Sequence, residues 1–153
     1  MKKIVILFIA LVFLTSCNKG KDYEVKFNSG EIYKFEELSV KVIDDEEKMT
    51  TKEIYNSLDD KDQERVEEII KLLEKCEVVD GGYAYKSIPD HESLLLKFKN
   101  KKDEDTIYMY DTKRDRNTKK FHYTFSGSLG KYDSPAIFSD EDLISKIKNI
   151  IKE

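Results

Sequence analysis

The first seventeen residues constrain the fold most, because most of them cannot belong to it. Lys2 and Lys3 precede an unbroken apolar run from Ile4 to Leu14. That run is too short to cross a hydrocarbon core as a helix, which takes roughly 20 residues. A basic start, a short apolar segment and the small residues Thr15 and Ser16 describe a secretory signal peptide, removed in the mature protein. The chain therefore divides into a leader over 1–16, a short tether over 17–21 and one domain over 22–153. Removing 16 of the 153 residues leaves 137, enough for a single domain with its own core.

Patterning along that domain predicts its elements. Asp22 to Phe27 alternates polar and apolar residues, the strand period. Asn28-Ser29-Gly30 is a turn signal, and Glu31 to Ile43 is a second extended stretch that completes a hairpin. Asp44 to Glu47 is a charged loop. Thr50 with Glu53 three residues on offers a helical capping box, and Asp59 or Asp60 offers a second helix start. Val66, Ile69, Ile70, Leu73 and Cys76 then recur at helical spacing opposite a charged face.

Extended segments follow at Ser93–Lys99, Thr106–Tyr110 and Phe121–Phe125. Lys131 to Phe138 is a shorter one, which Pro135 confines to an edge or a non-strand position. Ser139 starts a last helix, whose apolar face is Leu143, Ile144, Ile147, Ile150 and Ile151. The order of elements implies an α+β domain: an antiparallel sheet of about five strands with two amphipathic helices packed on one face.

The motifs of common chemistries are missing from the sequence. There is no nucleophile elbow, no phosphate-cradling glycine loop and no His-Glu-x-x-His. Asp90-His91-Glu92 places three ligand types side by side, but neighbours in extended chain point in alternating directions. His122 lies within a strand, as a structural or surface residue. Cys76 falls near a helix C-terminus on the apolar face, the position of a small buried hydrophobe. No metal site, cofactor or catalytic residue is assigned.

Two surface features carry a binding expectation. Lys113, Arg114, Arg116, Lys119 and Lys120 surround the single acid Asp115 and form a candidate anion- or membrane-contact loop. Tyr83, Tyr85, Tyr108, Tyr110, Tyr123 and Tyr132 crowd the second half and offer a protein-binding surface. The mature part carries 25 Lys and Arg against 31 Asp and Glu, a net charge of −6. That balance argues against nucleic acid as a partner, because phosphate neutralisation drives such affinity.

Leu14-Thr15-Ser16-Cys17 resembles the lipobox of bacterial lipoproteins, and the whole chain resembles the small lipoproteins of Gram-positive type. The resemblance implies a diacylglyceryl group on Cys17, cleavage just before it, and residence on the outer face of the cytoplasmic membrane. Asn18 to Lys21 then span at most about 13 Å, at roughly 3.3 Å per residue. The expected function is a membrane-anchored, non-catalytic binding or interaction module with a protein partner at the envelope. An immunity or exclusion factor against a toxin or phage is one alternative. A surface hydrolase built on His91 or His122 is the other, and requires the histidine to meet a carboxylate or hydroxyl within a cleft.

Overall fold

The computed structural model describes residues 21–59, 63–81, 89–110 and 113–152. The leader, Cys17, the helix start at Asp60 and the tyrosines 83 and 85 lie outside the described residues.

Tyr23–Lys26 (β1) and Ile32–Phe35 (β2) form an antiparallel hairpin, with Tyr23 opposite Phe35 and Lys26 opposite Ile32. The strand period puts Tyr23, Val25, Tyr33 and Phe35 on its buried face. The main sheet is antiparallel throughout and, among the described residues, has seven strands. They are β3 (Glu37–Asp45), β4 (Thr50–Asn56), β5 (Glu77–Val79), β6 (Leu94–Lys99), β7 (Glu104–Met109), β8 (Phe121–Phe125) and β11 (Ala136–Ser139). Their spatial order is β4-β3-β6-β7-β8-β11-β5. Ser128–Leu129 (β9) and Tyr132–Asp133 (β10) make a small separate hairpin. The helices are α1 (Glu64–Leu73) and α2 (Leu143–Lys152).

One face of the sheet holds the core. Leu38, Val40, Leu96, Phe98, Ile107 and Tyr123 join Val66, Ile69 and Leu73 of α1 and Leu143 and Ile147 of α2 in one buried cluster with the β1–β2 hairpin. Burying each such side chain contributes roughly 1.5–3 kcal/mol. The hairpin is fixed by aromatic edges: Tyr33 meets Phe98 at 5.6 Å and Phe125 at 5.0 Å, both rings at 76°. The Tyr33 hydroxyl donates to Asp105 Oδ2 at 2.7 Å. Burial and that carboxylate push the phenol well above its ordinary range. On the opposite face, Leu95, Ala136 and Phe138 are buried outside that cluster, and Lys97, Tyr108, His122 and Thr124 are partly exposed.

The α+β class holds, with corrections. The main sheet has seven strands among the described residues, rather than about five. Thr50 to Asn56 is a strand, not a helix start. Thr51, Ile54 and Tyr55 favour a pleated surface, and pairing with β3 overrides the local capping pattern. The register shift between Val40 and Lys41 leaves Ile54 as the extra, exposed residue of a bulge. The long extended stretch after Gly30 breaks at Glu36, so that β2 pairs with β1 while β3 joins the main sheet. β11 is not an edge: it lies between β8 and β5, with Pro135 just before it. Ser139 caps only a turn. Asp142 caps α2, its Oδ1 accepting from the amides of Ile144 at 3.1 Å and Ser145 at 3.3 Å.

Gly127 shows how tightly the hairpin and sheet are locked. Its φ is +91°, and a Cβ there would stand 2.1 Å from Asp105 Oδ1. Gly81 has the same φ of +91° with nothing within 4 Å. Both Gly→Ala changes incur backbone strain of about 1–3 kcal/mol. Gly127→Ala is expected to lose more, because it also displaces the carboxylate that holds Tyr33. Urea midpoints of the two variants measure this, and equal losses would show that the Asp105 contact matters little.

Candidate functional site

The loop from Lys113 to Lys120 is a built turn. Asp115 organises it: its Oδ1 accepts from the amides of Asn117 and Thr118, both at 2.8 Å, and from the Thr118 hydroxyl at 3.2 Å. These amides hold the carboxyl below its ordinary range. Backbone bonds from Asp115 N to Lys120 O and from Lys119 N to Asp115 O, each 2.9 Å, close the turn. Lys119 accepts a left-handed φ of +61° to complete it.

The five cations are placed differently. Arg114 donates from Nη2 to the Asp140 carbonyl at 2.7 Å, and its guanidinium lies 5.4 Å over the Phe121 ring. Lys120 Nζ meets Glu77 Oε2 at 2.7 Å, and that bond raises its pKa. Lys113, Arg116 and Lys119 are exposed. Among the described residues, Arg114, Arg116 and Lys119 form no ion pair with a carboxylate. The turn is therefore a hydrogen-bonded loop whose one acid serves its own backbone, with Arg114 and Lys120 held by neighbouring strands and Lys113, Arg116 and Lys119 exposed.

The described tyrosines do not form one surface. Tyr123 is fully buried in the core, and its hydroxyl accepts from Leu143 N at 3.2 Å. Tyr132 sits on β10 with the Lys131 ammonium 5.0 Å from its ring centroid. Tyr108 and Tyr110 are half-buried on the sheet face opposite the helices and meet edge to face at 5.7 Å. Burial raises the Tyr110 phenol.

Each histidine makes local contacts. His122 stacks on Phe138 with centroids 4.1 Å apart at 4°, and its Nε2 lies 2.7 Å from Thr118 Oγ1. That hydroxyl also serves the turn, donating toward Asp115 and accepting from Lys120 N at 3.3 Å. His91 lies at the tip of the sheet, its Nδ1 3.0 Å from the Ile43 carbonyl and its Nε2 3.4 Å from Glu46 Oε1. Two surface depressions of about 320 and 300 Å³ are lined by Glu53–Asn56 with Asp59 and Arg65, and by residues of β1 and β2 with Asn100. No histidine or cysteine lines either. Cys76 is fully buried, and burial pushes its thiol up to about 12. Among the described residues, no group of three His, Cys, Asp or Glu is placed to hold a metal ion.

Contiguous charge made the turn visible in the sequence. Its supports were not visible: Glu77 precedes Lys120 by 43 residues and Asp140 follows Arg114 by 26. Only the packing of β5 and β11 beside β8 brings them in, and no short-range pattern encodes that order.

The His91 contacts predict a pH dependence. The hydrogen bond to Ile43 and the nearby Glu46 raise its pKa above the ordinary 6.5. A raised folded-state pKa adds stability below the unfolded value, and the gain is lost as pH rises through the folded value. An NMR titration of the ring should give a midpoint above 6.5, and Glu46→Gln should lower it. A midpoint at or below 6.5 in the parent protein contradicts the contact.

No protein-family model, no curated protein and no solved structure matches this chain.

Proposed function

We propose that this chain is an exported lipoprotein, held on the outer face of the cytoplasmic membrane through Cys17, whose domain is a non-catalytic binding module. The observation that carries this reading is the leader, Lys2 to Ser16, ending on Cys17. Two acyl chains hold a protein stably where one holds it only marginally. A diacylglyceryl group on Cys17 supplies two. The ordered domain supports a short leash, because Lys21 is already fixed, its ammonium 2.6 Å from Glu67 of α1. No helix among the described residues is long and apolar enough to cross a membrane.

Binding is favoured over catalysis because both histidines and Cys76 are engaged in local contacts. His122 and the Thr118 hydroxyl belong to the turn, and the Cys76 thiol is buried. The basic turn is the proposed contact surface, facing an anionic partner at the envelope, with no role for nucleic acid or a cofactor.

Replacing the anchoring residue tests the attachment. Cys17→Ala is expected to accumulate the uncleaved precursor and to abolish incorporation of labelled fatty acid, with the fold intact by circular dichroism. Labelling that persists in Cys17→Ala overturns the anchor.

A further inference from the structure

The sheet has two poles, and its connectivity assigns the β3–β4, β6–β7 and basic turns to one or the other. Where the chain joins the domain, Tyr23 lies opposite Phe35, and Glu36 N donates to Lys99 O at 2.8 Å. The point of attachment is therefore at the pole of the β6–β7 turn, with Asn100 to Asp103. β8 runs the other way relative to β7: Ile107 lies opposite Phe125, so Phe121 falls beyond Met109. The basic turn precedes Phe121 and so caps the opposite pole. From the Lys99 row to the Phe121 row the sheet extends roughly 24 Å, at about 3.4 Å per residue. Residues 17 to 21 reach no more than about 14 Å.

The charges of the two poles differ in kind. Near the attachment point most cations have a carboxylate, Lys21 with Glu67 at 2.6 Å, Lys34 with Glu24 at 3.2 Å, Lys99 with Glu37 at 3.6 Å and Lys101 with Glu36 at 3.4 Å, while Lys102 has none among the described residues. That pole offers anionic headgroups little net attraction. At the far pole, which also carries the acidic loop from Asp44 to Glu47 beside β3, Arg114, Arg116 and Lys119 have no carboxylate partner among the described residues, and Asp115 accepts from the backbone of its own turn.

We infer that the anchored domain stands with its largely ion-paired pole toward the bilayer and presents the basic turn outward, to a phosphodiester polymer of the envelope rather than to lipid headgroups. This inference rests on the anchored reading above. Guanidinium forks match phosphate oxygens, Arg116 is free to turn toward them, and Arg114 is held in place over Phe121. A polymer of repeating phosphates engages such a turn by releasing counterions, so its affinity falls steeply with salt.

The test uses the full lipidated chain in vesicles of neutral lipid, with a synthetic glycerol-phosphate oligomer as probe. The oligomer is expected to bind with a strong salt dependence, and Arg116→Gln with Lys119→Gln to weaken it by about tenfold, the order expected for two phosphate contacts. Energy transfer from a fluorophore on Asn117→Cys to headgroup acceptors should be several-fold weaker than from one on Lys102→Cys; buried Cys76 stays unlabelled. Equal transfer from both positions overturns the orientation. So does binding to anionic vesicles that the double variant abolishes. Oligomer affinity unchanged in the variant, or matched by polyglutamate, overturns the site. Wild-type protein that does not float with vesicles overturns the anchored reading and the orientation with it, whereas lost oligomer binding alone overturns only the site.

Discussion

The aromatic contact between the first hairpin and the sheet holds this domain in register. Tyr33 and Phe35 press on Phe98, and Tyr33 also presses on Phe125, so residues far apart in the chain close over the same patch. The Tyr33 hydroxyl reaches Asp105 at the edge of that patch. With the hairpin in place, α1 packs along β1, α2 packs against α1, and the core fills one face. The other face keeps a mixed set of apolar, aromatic and charged side chains.

The same antiparallel connectivity determines what the domain can present. Alternating strand directions sort the turns onto two poles, and the chain joins at one of them. The basic turn is built at the other, stiffened by Asp115 and supported by Glu77 and by the Asp140 carbonyl. Placement and rigidity come from the fold, whereas the unmatched charge comes from local sequence. On the proposed reading, Arg114 and Lys120 are positioned before a ligand arrives, which limits the ordering cost of binding.

Some of this architecture was legible in the sequence. Phe121 to Phe125 alternates so regularly that β8 reads off the pattern with its exact ends, and the apolar stripe from Val66 to Leu73 announces α1. The misreadings share a cause. Thr50 to Glu53 satisfies a helical capping pattern, yet a neighbouring strand supplies a full ladder of partners and the segment extends. β5 is only three residues long, too short to show any period. Ser139 and Asp142 are both competent caps, and only the helix geometry selects Asp142. The tyrosines looked like one surface because their spacing in sequence is close, but alternation and chain reversal send Tyr123 inward and Tyr108 outward. Local chemistry was visible wherever it was contiguous, and hidden wherever strand order assembled it.

The proposed attachment through Cys17 underlies both the proposed location and the proposed orientation of the domain. Intact-mass spectrometry of the protein extracted from its native envelope examines that attachment directly. A polypeptide beginning at Cys17 and carrying the added mass of a diacylglyceryl group is the expected result. A chain that still begins at Met1 and bears no acyl mass would contradict the account.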